Sequence, residues 1–311
     1  SDVCSSDLEL LMLQVVSFIS DQAFERESTF DFLLNGFNYE IKNVNDDPST
    51  FTNVLVIYSS TRQMVSEDVK NFVSSLSCPY ALFHMSNEWM WAYYPRVANF
   101  PESEIDSAIE THYGNPNHIF RNYWHPVFDC DKVTQLPIFW LNGFLNNKNI
   151  VNYNKIYKTT FIGDSSKNDR KDVISIMKSM GDCFVHETSG WMSEDCISVD
   201  KQVEVYSQSV ICPCPMGGCH PEVFRMCEIL ESNSIPVIMQ YHDFEYHNRI
   251  YGYDSPIPKI KSWDDLPKVY KQIVKSGVYE TTERIQNWYQ NWKVKTKLNF
   301  QSTLLSLKEF N

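Results

Sequence analysis

Short unbroken apolar runs alternate along the chain with stretches whose apolar positions recur every three to four residues. The runs read as strands covered on both faces, and the periodic stretches as helices. In the first half the predicted strands are 10–19, 39–44, 53–58 (NVLVIY) and 80–85 (YALFHM). Helices are expected over 22–34, capped by Asp21 and stopped by Asn35-Gly36, and over 65–76. In the second half, 158–162, 182–187, 210–212, 235–239 and 257–260 read as strands. Helices are expected over 169–180, 200–207 and 221–232, up to Val274 after the cap at Ser262, and over 280–309. Strand–helix alternation implies α/β structure with parallel sheets of Rossmann-like topology.

The polar stretch NNKNIVNYN (146–154) reads as a linker. It separates a Rossmann-like domain at 9–150 from a second at 155–278. Residues 279–311, with Trp288, Tyr289 and Trp292, read as a C-terminal helix that packs back on the first domain.

The chain has 311 residues, room for two such domains, and 43% hydrophobic content is that of a globular protein. A formal charge of -12 argues against a nucleic-acid backbone as partner but leaves room for a small phosphate-bearing molecule. The 8 Trp, 17 Tyr and 19 Phe serve cores first, and can also stack on sugar rings. Nine cysteines without framework spacing fit a reducing compartment. With no N-x-[ST] sequon, the fragment reads as cytoplasmic; a Golgi lumenal location stays open if an N-terminal anchor precedes it. Asp2–Leu8 can be encoded by a common sequencing-adaptor end, so a fragment lacking its own N-terminus is expected.

The segment from Tyr206 to Met239 concentrates the chemistry. A strand, a Pro/Gly turn with Gly217-Gly218, a helix opening at Pro221 and a buried Ile-Pro-Val-Ile strand follow one another. Such a turn is expected to present free backbone N–H groups and a helix N-terminus to an anion. Arg225 and Glu228 are neighbours on one helix face, either as a surface ion pair or as a grip on a diphosphate and ribose hydroxyls. Cys212, Cys214, Cys219 and His220 match no common zinc spacing, and Asp129-Cys130-Asp131 follows no nucleotide-binding unit. No metal site is expected.

Tyr206, Ile211-Cys212-Pro213, Gly217-Gly218, Phe224-Arg225-x-x-Glu228 and Ser234-Ile235-Pro236-Val237 resemble the donor-binding core of exostosin-like glycosyltransferases. The family usually has Gly where Ser234 stands. His84-Met85-Ser86-Asn87-Glu88, Tyr93-Tyr94, Arg121-Asn122-Tyr123 and Leu136-Pro137 are similar to ribitol xylosyltransferase-type members, with Asn87 in place of an Asp.

The resemblance implies a GT-B architecture, two Rossmann-like domains with parallel sheets facing across a cleft. It implies transfer of a sugar from a nucleoside diphosphate donor, a UDP-sugar by family, to a glycan or other hydroxyl acceptor, with inversion. Gly163, Arg170, Tyr206, Gly217, Gly218, Arg225 and Glu228 are then the donor-binding candidates. Glu88 is the expected general base and His84 a second candidate. With no metal, the two arginines and helix N-termini meet the leaving-group charge. Two alternatives stay open: a GDP-fucose-type fucosyltransferase, and a silent relative that binds glycans or partners. Asp243 and His242 are further candidates for holding the donor sugar.

Overall fold

The computed structural model describes residues 12–19, 25–59, 65–86, 88, 101–145, 154–241 and 246–307. The chain divides into two compact units, Ser1–Ile138 with Val294–Asn311, and Phe139–Lys293. The division falls at Phe139, ahead of the Asn-rich stretch, most of which lies outside the described residues.

The first unit is built on a six-stranded sheet of order β2-β1-β3-β4-β5-β6. Its strands are β1 Leu13–Ser17, β2 Tyr39–Lys42, β3 Val54–Ser59, β4 Tyr80–Met85, β5 His118–Arg121 and β6 Val133–Gln135. All neighbouring pairs are parallel. Val54, Leu55, Val56, Ile57, Ala81 and Leu82 are fully buried, which explains their lack of polar alternation. Helix α1 (Glu67–Ser75) is capped by Ser66, whose Oγ accepts from Val69 N, and buries Val69 and Phe72.

Two local differences from the pattern have physical reasons. In place of the end of a regular helix over 22–34 stands a π-helical segment, Glu27–Leu33. Ser28 Oγ and Thr29 Oγ1 both donate to Glu25 O, and this back-bonding competes with the regular ladder. Helix α2 (Glu102–Tyr113) was not expected. Its buried face is Ala108, Ile109, His112 and Tyr113, too weakly apolar to register as a period.

The second unit carries a five-stranded sheet ordered β11-β10-β9-β7-β8. The strands are β7 Tyr157–Asp164, β8 Cys183–Thr188, β9 Ser209–Cys214, β10 Ile235–Met239 and β11 Lys259–Ile260, again all parallel. The helices are α3 Arg170–Met180, α4 Val199–Ser207, α5 Arg225–Glu231, α6 Tyr246–Tyr251, α7 Leu266–Ser276 and the long α8 Val278–Ser306. Helix α5 starts at Arg225, not at Pro221. It ends in a Schellman turn: Asn233 adopts φ +53°, Ser234 N bonds Ile229 O and Asn233 N bonds Leu230 O. The left-handed residue is thus Asn233. Ser234 is fully buried, and its Oγ donates to Ser209 O at 2.9 Å, so serine is a packed solution at that position.

Tyr289 and Trp292, expected to pack on the first domain, belong to the second unit. Tyr289 OH donates to Glu231 Oε1 at 2.9 Å, and Trp292 Nε1 to Ile250 O at 3.1 Å. The part of α8 from Val294 onward belongs to the first unit, where Phe300 packs on Phe83 and Phe120. Among the described residues no helix is long and apolar enough to cross a membrane.

Both sheets share one wiring rule. In the first, the chain turns back between β1 and β3; in the second, between β7 and β9. Ligands of doubly wound sheets bind beyond the carboxyl ends of the strands at such switch points.

Candidate functional site

At the carboxyl end of β7, Gly163 has φ +136°, a backbone conformation that side chains disfavour. A Cβ there would lie 2.8 Å from Arg225 Nη2. That nitrogen donates to Ile162 O at 2.7 Å, and the guanidinium sits 4.6 Å from the Phe161 ring centroid. Arg225 is 8% exposed, and its Nε and Nη1 have no hydrogen-bond partner among the described residues. A buried cation with two unused donors is costly, and an anion would satisfy it.

Glu228 lies one helical turn on. It is 4% exposed and its Oε1 is also without a partner among the described residues. Burial pushes its pKa up to about 7, opposed by the Arg225 charge and by the Leu141 backbone N–H. Tyr206 of α4 is fully enclosed beside this pair; burial raises its hydroxyl pKa, while the charges of Arg225 and Glu228 act on it in opposite senses. Arg225, Glu228, Tyr206 and Gly163 are therefore brought together at the switch point.

Arg170 reaches the same strand end with a different task. Its Nη1 donates to Asp164 O at 2.7 Å and its Nε to Met216 O at 3.0 Å, which ties the end of β7 to the glycine turn. Asn168, at φ +46°, donates through Nδ2 to Gly217 O and Gly218 O. Two amides of the expected cradle are engaged within the protein. Met216 N donates to Tyr241 OH at 3.0 Å and Gly217 N to His220 O at 3.1 Å. The turn also runs into residues 219–224 before α5 begins, so it does not deliver a helix N-terminus. Gly217 and Gly218 lie in the turn that Arg170 and Asn168 hold, and the unused donors are those of Arg225.

Neither spacing nor motif gave Tyr241, Asp169 and Trp263 a role at the glycine turn. Tyr241 OH donates to Asp169 Oδ2 at 2.7 Å, and Trp263 Nε1 donates to the same oxygen at 2.5 Å. Together they brace the glycine turn through Met216 N. The one available signal was position: Tyr241 follows β10 at its carboxyl end. His242 and Asp243 lie outside the described residues. Trp191, 52% exposed on the loop after β8, stacks on Phe224 at 5.8 Å, next to Arg225 in sequence.

In the first unit the His84-to-Glu88 motif also lies at strand ends. His84 is fully buried: its ring stacks on Tyr58 at 4.6 Å and Nδ1 meets Tyr113 OH at 3.0 Å. It is a core histidine, closed to substrate, which corrects its candidacy as a catalytic group. Arg121 is equally enclosed, over the Phe128 ring and bonded to Tyr113 OH, Tyr123 O and Gln135 Oε1. Asn122 Nδ2 holds Pro137 O at 2.7 Å. The Arg-Asn-Tyr and Leu-Pro motifs are thus joined structurally. Glu88 is half-buried on a turn, with its amide bonded to Ser86 O at 3.0 Å. Asn87, Tyr93 and Tyr94 lie outside the described residues.

Ser86 holds an unforeseen partner. At φ +61°, it donates to Glu25 Oε1 at 2.5 Å. Glu25 is 3% exposed, and burial pushes its carboxyl up to about 7 against the Ser86 hydrogen bond.

Among the described residues, no group of three or more His, Cys, Asp or Glu side chains is placed to hold a metal ion. Cys212 and Cys214 are enclosed in β9, where burial pushes the Cys212 thiol up to about 11. Thiols held neutral in this way are poor ligands.

Solved structures share the fold. A crystal structure of an α1,3-fucosyltransferase superposes with TM-score 0.54 at 11% identity, covering 96% of this chain and 91% of that one. A glycosyltransferase from Rickettsia africae ESF-5 superposes with TM-score 0.50 at 10% identity, over 96% and 97% of the two chains. These likenesses establish the two-sheet α/β fold of GT-B glycosyltransferases. In sequence, the chain is 23% identical over 209 residues to human ribitol-5-phosphate xylosyltransferase 1, covering 58% of this chain and 47% of that protein. The chain thus spans about half the length of the curated relative it matches. The profile of the RXYLT1 C-terminal domain matches residues 142–307, more than half of the sequence and all of the elements that hold Gly163, Arg170, Tyr206, Arg225 and Glu228. The chain belongs to the RXYLT1 C-terminal domain family, a group of exostosin-like glycosyltransferase relatives.

Proposed function

We propose that this protein is a glycosyltransferase that moves a sugar from a nucleoside diphosphate donor to a hydroxyl acceptor. One observation carries the reading: a buried guanidinium with two unused donors, and a buried carboxylate with an unused oxygen, at the switch point of the second sheet. Arg225 Nε and Nη1 would hold the diphosphate and stabilise charge on it as the glycosidic bond breaks. Glu228 Oε1 would accept from ribose hydroxyls. Gly163 leaves the space Arg225 occupies, and Arg170, Asn168 and Tyr241 keep the glycine turn in place around the donor. Family membership supports the same reading.

A uridine diphosphate sugar is the proposed donor, by family. Because the human relative is a ribitol-5-phosphate xylosyltransferase, UDP-xylose and ribitol 5-phosphate head the donors and acceptors to test. A single displacement inverts the anomeric centre. The reaction as proposed uses Arg225 for leaving-group charge and has no step assigned to a metal; undiminished turnover in excess EDTA is the expected result.

The deciding experiment is thermal melting with UDP, GDP and no nucleotide. A ligand at 100 times its Kd raises stability by about 2.7 kcal/mol. A shift with UDP and none with GDP supports the reading. A shift with GDP alone selects the fucosyltransferase-type donor instead. No shift with either nucleotide removes the enzyme reading in favour of a binding protein.

A further inference from the structure

An exposed tryptophan stands beside the donor site within the second unit. β8 pairs with β7 in parallel register, Gly163 opposite Glu187 and Asp164 opposite Thr188. The loop that follows Thr188 therefore leaves the sheet at the edge where Gly163 lies. Trp191 sits on this loop, 52% exposed, and its ring stacks on Phe224 with centroids 5.8 Å apart and planes 24° from parallel. Phe224 precedes Arg225 as the N-cap of α5, and its carbonyl accepts from Glu228 N at 3.1 Å. Phe224 and Glu228, four apart, thus share one helix face.

The loop holds the ring in place. Asp195 closes it: Oδ2 accepts from Ser189 N at 2.7 Å, Oδ1 accepts from Ser193 Oγ, and the backbone carbonyl accepts from His186 Nε2 at 2.7 Å. Thr188 Oγ1 donates to Gly190 O at 3.1 Å, and Cys196 N to Ser193 O at 3.0 Å. Met192, at φ +55°, turns the chain directly after the tryptophan. Single exposed apolar residues are ordinary. Trp191 differs in being presented by a fixed loop and stacked on a residue of the donor helix.

We propose that Trp191 is the stacking platform for the nucleobase of the donor. The inference rests on the glycosyltransferase reading, which puts the diphosphate at Arg225 and the ribose at Glu228. The base is bonded to the ribose, and Phe224 is the aromatic residue one turn from Glu228 on the same face. The transferred sugar hangs from the opposite end of the diphosphate, so the aromatic pair beside Glu228 meets the base and not the sugar. A base laid on Trp191 extends the Phe224–Trp191 stack to three rings. It also covers apolar surface that the nucleotide-free protein leaves in water. Stacking tolerates any base, so Trp191 adds affinity without choosing between UDP and GDP.

The test compares wild type, Trp191→Ala and Trp191→Phe by calorimetry with UDP, UDP-xylose and inorganic pyrophosphate. GDP and GDP-fucose replace the uridine ligands if GDP alone shifts wild-type melting. Trp191→Ala is expected to bind UDP roughly 5- to 150-fold more weakly. Pyrophosphate, which has neither base nor ribose, is expected to bind this variant as it binds wild type. Trp191→Phe keeps a ring and should recover most of the lost UDP affinity. Saturating UDP should also quench part of the wild-type tryptophan fluorescence, a part missing in Trp191→Phe. Unchanged UDP affinity in Trp191→Ala overturns the proposal. So does an equal proportional loss of UDP and pyrophosphate affinity, which marks a residue that only supports Arg225. A loss with UDP-xylose but not with UDP puts the sugar on Trp191 and overturns it too. If pyrophosphate binds too weakly to measure, fluorescence decides: a Trp191-dependent quench supports the proposal, and its absence overturns it. A wild type that binds neither UDP nor GDP removes the glycosyltransferase reading itself, and this proposal with it. Nucleotide binding undiminished by Trp191→Ala overturns only the platform and leaves that reading standing.

Discussion

Arg225 occupies the volume that a side chain at Gly163 would need: a Cβ on Gly163 would sit 2.8 Å from Arg225 Nη2. The guanidinium cannot simply swing away, because Nη2 is bonded to Ile162 O at 2.7 Å and the group lies against Phe161. Gly163→Ala therefore combines backbone strain at φ +136° with displacement of Arg225. A loss of about 1–3 kcal/mol in urea unfolding is expected, together with at least about tenfold weaker UDP binding by calorimetry.

Arg225 is buried with two unused donors, at a cost to the free protein. Arg225→Met relieves a buried cation with two unused donors but leaves Ile162 O and Glu228 without it, so the two effects offset. The variant is expected to melt close to the wild-type temperature without nucleotide, and to lose the UDP-induced shift. A mutant that melts well below wild type, with its UDP shift intact, would show a structural arginine.

Glu228 supplies a pH test with a definite sign. Its carboxyl is raised from 4.5 to about 7 in the folded chain. Between these values the folded form keeps a proton that the unfolded form has released, so stability falls as pH rises through this window and levels off above it. Glu228→Gln removes this penalty. Its unfolding free energy relative to wild type should rise from pH 5 to pH 8, by an amount on the order of 1–3 kcal/mol. Nucleotide binding should weaken in the same variant.

His112 and His118 work in the opposite direction. Burial, aided by Arg121 for the first and Lys132 for the second, pushes each down from 6.5 to about 4. The unfolded chain takes up protons as pH falls from 6.5 toward 4 while the folded chain does not, so stability is lost over that range. His118→Gln, which can still bond Thr134 Oγ1, should flatten the acid limb of urea midpoints recorded from pH 7 to pH 4.5.

Tyr241 links Met216 N to Asp169 Oδ2. Tyr241→Phe leaves both groups without that partner and frees the glycine turn. A stability loss of about 1–2 kcal/mol is expected, with a larger proportional loss in UDP affinity than in the melting temperature of the nucleotide-free protein.

Strand periodicity was enough to predict YALFHM and IPVIM at the residues where β4 and β10 lie, because strands covered on both faces leave an unbroken apolar run. The spacing of Arg225 and Glu228 on one turn was equally local, and so was the resemblance that singled them out. Contacts between residues distant in the chain were not legible. The pairing of Glu25 with Ser86 crosses 61 positions and that of Arg225 with Ile162 crosses 63. The motif around Ser86 pointed to Glu88, whereas folding presents Ser86 to Glu25. His84 looked like a strand-end catalytic group until Tyr58 and Tyr113 closed around it. The amides of Met216 and Gly217 looked free until Tyr241 and His220 claimed them. Sequence determines which segments are apolar, periodic or turn-forming, since those properties belong to neighbouring residues. Which buried groups find partners, and which keep a donor or an oxygen unused, is decided only when strand order brings remote segments to one sheet edge.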